Sequence, residues 1–147
     1  MKEEHRNFSC KNSGFLINPE YPLFGASPDG LSSCSCHGDG CLEVKCPHCL
    51  RTKGQEDILT SKSCLIEVGN SVCLDETHAY YFQVQMQLYV SGRSYCDLVL
   101  WTTRSIFVQR INPDIQFLLR HRRIAAEFSI RVLIPELLGK CFTEPSS

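Results

Sequence analysis

Two short runs with the composition of β-strands lie within residues 25–50. Leu31 and the segment 42–45 (Leu-Glu-Val-Lys) have the composition of two strands, and the polar, glycine-containing segment 32–40 predicts the loop that joins them. The first 24 residues are rich in turn-forming Asn, Pro and Gly, which predicts irregular chain. Residues 51–76 show no clear period, so we expect a loop there with at most one short helix or strand.

A helical period begins near Thr77. Apolar and aromatic side chains recur there at helical spacing, as Tyr81, Val84, Leu88 and Tyr89. Gly92 follows them as a C-terminal stop signal. Two β-rich runs, 97–103 and 105–111, then meet at the polar pair Thr103-Arg104, and this arrangement predicts a hairpin.

The last predicted element is a C-terminal helix over residues 113–139, which begins at an Asn-Pro-Asp start signal. Its expected inner side is apolar and consists of Ile115, Leu118, Leu119, Ile124 and Phe128. The complete order is strand, strand, helix, strand, strand, helix. It predicts an α/β fold with a mixed β-sheet flanked by helices. A length of 147 residues, 43% hydrophobic, predicts one domain over 1–147.

Charge and cysteine content narrow the possible functions. Lys and Arg number 15 against 16 Asp and Glu, which excludes a polycation that holds nucleic acid by bulk charge alone. No apolar run reaches the roughly 18 residues of a membrane span, and the start of the chain lacks the pattern of a secretory signal. Ten cysteines without such a signal indicate reduced thiols or a metal site. We therefore expect an intracellular protein, nuclear in a eukaryote and otherwise cytoplasmic.

The two predicted strands at residues 31–45 carry candidate metal ligands. Asp29 precedes the first strand, and Glu43 and Lys45 project from one face of the second while Val44 points into the core. A hairpin brings Asp29 within reach of Glu43, and two carboxylates with the Val44 main-chain carbonyl suit Mg²⁺ or Mn²⁺. Lys45 is then placed to orient a water or to neutralise charge on a phosphate. By spacing alone, a solvated strand face and a Pro-Asp-Gly turn explain the same residues.

Three motifs resemble, in order, the lambda-type phage exonuclease and YqaJ-like viral recombinase family of the PD-(D/E)XK nuclease superfamily. They are SPDG at 27–30, GCLEVKCP at 40–47 and YYFQVQMQLYVSG at 80–92. The hairpin and helix that follow also resemble this family, so the resemblance covers about residues 5–125. It implies a restriction-endonuclease-like core.

The resemblance implies roles for individual positions. Asp29 corresponds to the family's first metal-binding aspartate, Glu43 to its second carboxylate and Lys45 to its catalytic lysine. Ser27 corresponds to a small hydroxyl residue beside the site, and Gln83 to a glutamine that holds the attacking water or the phosphate. Two further candidates for DNA contact lie one helical turn on either side of Gln83, Tyr80 and Gln87. A glutamine-rich helix face is otherwise typical of a solvated surface.

The implied reaction is metal-dependent hydrolysis of DNA phosphodiester bonds, typically 5′ to 3′ digestion of double-stranded ends in recombination or repair. The resemblance also implies a homo-oligomer, a ring trimer that encloses DNA. The family carries an upstream helical segment with basic, hydroxyl and acidic residues that this chain does not match. We therefore expect an N-terminally truncated domain with one sheet face uncovered. The alternative is a catalytically inactive, mobile-element-derived remnant that binds DNA or a protein.

A cluster of cysteines surrounds the Glu43 strand. Cys46 and Cys49 have the spacing of a zinc knuckle, and Cys34 and Cys36 supply a second pair, so these four predict a structural Zn²⁺ clip. Reduced core cysteines are the alternative, preferred for Cys64, Cys73, Cys96 and Cys141. A zinc-dependent interaction module is a third possible function.

Basic residues cluster once, on the predicted C-terminal helix. Three arginines there are candidates for phosphate contact, Arg120, Arg122 and Arg123. A solvated helix face explains them equally well.

Overall fold

A computed structural model describes residues 5–60, 63–140 and 143 of the chain. The cysteine at position 141 therefore lies outside the described residues. Within these ranges the strands are β1 Ser9–Asn12, β2 Leu16–Ile17, β3 Gly25–Ala26, β4 Gly30–Cys34, β5 Gly38–Lys45, β6 Leu65–Val68, β7 Ser71–Leu74, β8 Tyr95–Trp101 and β9 Ile106–Ile111. The helices are α1 Gln55–Thr60, α2 Ala79–Ser91, α3 Ile115–Phe128 and α4 Ile134–Gly139, with a 3-10 turn His48–Leu50 and a π-helical turn Ser129–Leu133.

The main sheet has five strands in the order β1-β4-β5-β8-β9. Strands β5 and β8 run parallel, from Gly40 opposite Tyr95 to Lys45 opposite Leu100, and the other pairs are antiparallel. The parallel pair requires a crossover connection, and helix α2 lies within it. The predicted mixed sheet with flanking helices is therefore present.

The hydrophobic core lies between the main sheet and helix α2. It is formed by buried side chains of β5, β8 and α2 together with the segment that contains α1, β6 and β7, among them Cys41, Leu98, Leu100, Val84, Leu88, Ile58, Leu65 and Leu74. The predicted stripe on α2 is confirmed at Tyr81, Val84 and Leu88, which are all buried. Gly92 ends the helix at a φ of 65°, a left-handed conformation that glycine adopts without strain.

Strand β5 corrects the predicted orientation of Val44. The Val44 side chain is 38% exposed, whereas Glu43 is 2% exposed and faces the core. Strand alternation fixes which residues share a face, but the packing of α2 decides which face becomes buried. On the opposite face Trp101, Ile106 and Val108 are also exposed.

Other local predictions are corrected as well. The loop of the first hairpin is shorter than 32–40, because β4 and β5 pair as far as Cys34 opposite Gly38. Residues 51–76 are not a loop but contain α1 and the hairpin of β6 and β7. The Gly-Asn dipeptide at the turn of that hairpin, with Gly69 at a φ of 62°, is a sequence signal for it.

The predicted inner side of the C-terminal helix is wrong. Ile115, Leu119, Ile124 and Phe128 are exposed, and Phe117 is the residue of α3 that is buried. Phe117 packs on α2 through ring contacts with Tyr81 and Phe82, so α3 rests on α2 through a narrow contact. Asp114 caps the helix by accepting a hydrogen bond from the Phe117 amide, as its start signal predicts.

Candidate active site beneath helix α2

A buried carboxylate lies where strand β5 passes beneath helix α2. Glu43 accepts hydrogen bonds from two glutamines of that helix: Gln83 donates to Oε1 at 2.7 Å and Gln87 donates to Oε2 at 2.6 Å. The two glutamines are four residues apart and therefore occupy one helix face. Because a buried carboxylate is costly without hydrogen-bond donors, both amides stabilise Glu43 in its position.

Lys45 lies beside Glu43 on the same face of β5. Its Nζ donates to Glu43 Oε1 at 2.5 Å and lies 5.1 Å from the centre of the Tyr80 ring. The face of the aromatic ring attracts the ammonium group. Burial raises the pKa of the Tyr80 phenol, and the positive charge of Lys45 opposes that rise. The site thus combines one carboxylate, one ammonium group and two amides.

Asp29 approaches the same strand from the start of β4. Its Oδ2 accepts a hydrogen bond of 2.7 Å from the Val44 amide, the residue next to Glu43. Asp29 itself is exposed. The hairpin therefore brings Asp29 to the strand that carries Glu43, with Asp29 accessible from solvent and Glu43 buried.

Two thiols lie below the carboxylate in the core. Burial, together with the negative charge of Glu43, raises the pKa of Cys41 and of Cys96. Both thiols are therefore neutral near pH 7. Cys96 lies 3.9 Å from Gln87 Oε1 as a weak donor. The Gln87 amide thus has its oxygen toward Cys96 and its nitrogen toward Glu43.

Two residues proposed for substrate contact occupy different environments. Ser27 is exposed, and its carbonyl lies 3.5 Å from Gln87 Nε2. Gln87 is 1% exposed. Because Gln87 is buried and bonded to Glu43, it is placed to position that carboxylate rather than to touch DNA.

Among the described residues, no hydrogen bond or ion pair links the three arginines of α3 to this site. Arg120, Arg122 and Arg123 are exposed on α3, and Arg123 forms an ion pair with Glu127 at 3.2 Å. Cys46 and Cys49 are exposed in the residues that follow β5, and neither forms one of the hydrogen bonds or ion pairs described at this site. The contacts of the site therefore join Asp29, Glu43, Val44, Lys45, Tyr80, Gln83 and Gln87.

The predicted zinc ligands separate into two groups. Cys34 and Cys36 lie together at the turn between β4 and β5, and their neighbours are His5 and His37 rather than Cys46 and Cys49. Burial raises the pKa of Cys34, but hydrogen bonds from Cys36, His37 and His5 outweigh it and lower the pKa to about 6. Sequence spacing missed His5, because it is distant along the chain and reaches the turn only in the folded sheet.

Comparisons with known proteins agree with this fold. The family model described as the YqaJ-like viral recombinase domain matches residues 2–94. Among solved structures, the chain is similar to an alkaline exonuclease (LHK-Exo) from Laribacter hongkongensis, with a TM-score of 0.60 and 24% identity over 90% of this chain and 61% of that one. It is also similar to LHK-Exo in complex with dAMP, with a TM-score of 0.60 and 27% identity over 90% of this chain and 60% of that one.

The likenesses cover most of this chain and part of the exonuclease. The chain spans about three fifths of the length of the exonuclease it matches. No curated protein matches the chain. The likeness nevertheless confirms the predicted fold class, a mixed sheet flanked by helices in a nuclease-like arrangement. In addition, no described helix has the length and apolar character needed to cross a membrane.

Proposed function

Because this chain belongs to the YqaJ-like viral recombinase domain family, we propose that it is a metal-dependent deoxyribonuclease that acts on double-stranded DNA ends. The observation that carries the proposal is the buried Glu43 carboxylate, held by Gln83 and Gln87 beside the Lys45 ammonium group. A buried ionisable group with a specific charge partner is a candidate for a functional site. The solved relative that is named an alkaline exonuclease, and was seen with dAMP, supports a DNA substrate.

The donor set fits a hard divalent cation, Mg²⁺ or Mn²⁺. Carboxylates and main-chain carbonyls are the ligands that such ions prefer, and the site offers Asp29, Glu43 and the carbonyl of Val44. Glu43 Oε2 accepts one hydrogen bond from Gln87 and retains a second lone pair for a metal. When bound, the ion supplies Lewis-acid activation of the phosphodiester and of a water.

The chain's own residues supply the rest of the mechanism. Lys45 Nζ holds a positive charge beside Glu43, where it neutralises charge that develops on a phosphate oxygen or orients the attacking water. Gln83, partly exposed at the same carboxylate, is placed to hydrogen-bond that water or the phosphate. Gln87 and Tyr80 act as positioning residues, because they contact Glu43 and Lys45 respectively. Asp29 is the more accessible of the two carboxylates.

Three finer parts of the proposal come from the family resemblance. They are a role in DNA recombination or repair, 5′ to 3′ digestion, and assembly as a ring around DNA. The exposed face of Arg120, Arg122 and Arg123 is a candidate phosphate contact in such an assembly.

The test is digestion of end-labelled linear duplex DNA by the full chain with Mg²⁺ or Mn²⁺. We expect nucleotide release that Lys45→Ala reduces by about 100-fold or more, because one preorganised charge at the phosphate is lost. The matched control is Lys11→Ala, the same substitution at an exposed position on edge strand β1, which we expect to retain activity.

The outcomes separate activity from binding. Release by the wild type and Lys11→Ala, but not by Lys45→Ala, supports the nuclease. Absence of release from a folded protein saturated with either ion contradicts it and supports the inactive remnant. Equal release by all three proteins would show that Lys45 is not catalytic and that the assigned site is wrong.

A further inference from the structure

Four side chains with nitrogen and sulfur ligand atoms converge at the turn between β4 and β5. His5, Cys34, Cys36 and His37 each offer one ligand atom, and these atoms all lie within 4.8 Å of one another. Three of the residues are exposed and Cys34 is buried. We call these four residues the turn cluster. It lies at the opposite end of β5 from Glu43, roughly 16 Å along the strand at about 3.3 Å per residue.

The backbone fixes the four residues in place. Edge strand β1 pairs with β4 from Asn12 opposite Gly30 to Ser9 opposite Ser33. Beyond that ladder, the Ser35 amide donates to the Arg6 carbonyl at 2.9 Å and the Asn7 side chain donates to Ser35 Oγ at 3.1 Å. These bonds bring the segment that contains His5 to the turn.

Four of the six ligand–ligand distances lie within about 0.4 Å of the edges of a tetrahedral zinc site. Zinc bonds of about 2.3 Å to sulfur and about 2.0 Å to nitrogen give tetrahedral edges of about 3.8 Å for S–S, 3.6 Å for S–N and 3.3 Å for N–N. The observed separations are 3.4 Å between Cys34 and Cys36 Sγ, 3.6 Å between Cys34 Sγ and His37 Nδ1, and 3.3 Å between Cys36 Sγ and His5 Nδ1. The two histidine Nδ1 atoms lie 3.2 Å apart.

We infer that the turn cluster is a structural zinc site with a Cys2His2 ligand set, formed by His5, Cys34, Cys36 and His37. Two thiolates and two imidazoles favour Zn²⁺ over Mg²⁺, which binds oxygen ligands. Four protein ligands leave no open position, so the ion has no catalytic role. Its function is to fasten the N-terminal segment and β1 to the β4–β5 turn.

The ligands of the turn cluster differ from the set that sequence spacing predicts, because His5 and His37 take the places of Cys46 and Cys49. Cys46 and Cys49 have knuckle spacing, but they follow the other end of β5 and do not belong to the turn cluster. They therefore provide matched controls, since Cys→Ser is the same chemical change in both places. The inference does not depend on the proposed nuclease activity.

The experiment measures zinc in the full chain after purification and dialysis against zinc-free buffer. We expect one zinc per wild-type chain and near-complete loss in Cys36→Ser and in His5→Ala. Both residues are exposed, so neither variant disturbs the core. Cys46→Ser and Cys49→Ser should keep their zinc. Circular dichroism of each variant verifies that loss of zinc is not loss of fold.

A second measurement uses thiol protection and a spectroscopic probe. Zinc should protect Cys34 and Cys36, but not Cys46 and Cys49, from alkylation mapped by mass spectrometry. Co²⁺ in place of zinc should give the visible absorption of a tetrahedral ion with two thiolate ligands.

Several results would overturn the inference. One is a folded wild-type chain that binds no zinc even when the ion is added. Another is zinc loss in Cys49→Ser equal to that in Cys36→Ser, which would restore the knuckle. A third is a peptide containing Cys34 and Cys36 that is lighter by two hydrogen masses in zinc-supplemented protein purified without reductant, which would show a Cys34–Cys36 disulfide instead.

Discussion

The two ends of strand β5 offer opposite ligand chemistry. At one end Glu43 is buried beneath α2, and its partners are two amides, an ammonium group and the nearby Asp29. At the other end Cys34 lies with Cys36 and two histidines at an open turn. The Glu43 end offers hard oxygen ligands, of which Asp29 is accessible from solvent. The turn cluster offers sulfur and nitrogen ligands that surround an ion.

The difference in ligand chemistry distinguishes a site for a catalytic ion from a site for a structural ion. A catalytic ion must keep positions open for water and substrate, so its ligands come from few residues, and buried partners hold them in place. A structural ion takes four protein ligands and stabilises the contact between the segments that supply them. If both proposals hold, one strand of this domain presents both types of site, and substitutions at either end should leave the other unaffected.

Removal of zinc should have the largest effect on stability. Consider an ion that binds only the native state and is present at 100 times its dissociation constant. It raises the free energy of unfolding by about 2.7 kcal/mol. In a domain of this size we expect a chelator to lower the Tm by roughly 5–10 °C. The measurement is thermal unfolding with and without the chelator at constant Mg²⁺.

The control for this prediction is Cys36→Ser, whose Tm should not respond to zinc or to the chelator. A wild-type Tm that is also insensitive would remove the distinction between the two ends of β5.

Gln87→Leu should have an intermediate effect, confined to the carboxylate end. The substitution leaves Glu43 Oε2 without its donor inside the core, which costs about 1–3 kcal/mol of unfolding free energy. Urea denaturation measures this loss, and zinc content should not change. Gln116→Leu, on the exposed surface of α3, is the matched control and should be nearly neutral. Equal losses in both variants would mean that Glu43 does not depend on Gln87.

Val44→Thr should have the smallest effect. The Val44 side chain is on the exposed face, so the change should stay within about 0.5 kcal/mol, and nuclease activity should persist because the proposed ligand is the main-chain carbonyl. Val84→Thr is the matched control, since it places a hydroxyl in the core of α2 and should cost about 1–3 kcal/mol. If the two substitutions cost the same, the open face is covered in solution.

Local signals predict helix α2 and part of the site well. The stripe of Tyr81, Val84 and Leu88 and the stop at Gly92 are properties of consecutive residues, and the structure confirms them. The pairing of Asp29 with the Glu43 strand also follows from a hairpin whose strands are close in sequence. Helical spacing alone places Gln83 and Gln87 on one face, but the bonds from both to Glu43 are seen only in the folded structure.

Sequence patterns do not predict contacts that depend on packing between distant segments. Alternation cannot decide whether Glu43 or Val44 is buried, because that depends on the face that α2 covers. His5 joins Cys34 through the pairing of β1 with β4, and no spacing rule within residues 34–49 contains that information. The buried side of α3 was predicted wrongly for a related reason. It depends on the contact with α2, which α3 makes mainly through Phe117.

The parallel pairing of β5 with β8 has a consequence for the order of folding. The β4–β5 turn brings Cys34, Cys36 and His37 together with residues that are close in sequence, so little chain entropy is lost when it forms. Glu43 is enclosed only after β8 and α2 have closed a much longer loop against β5. Contacts of such long range form slowly. During refolding, the hairpin turn should therefore be structured while Glu43 is still accessible to water.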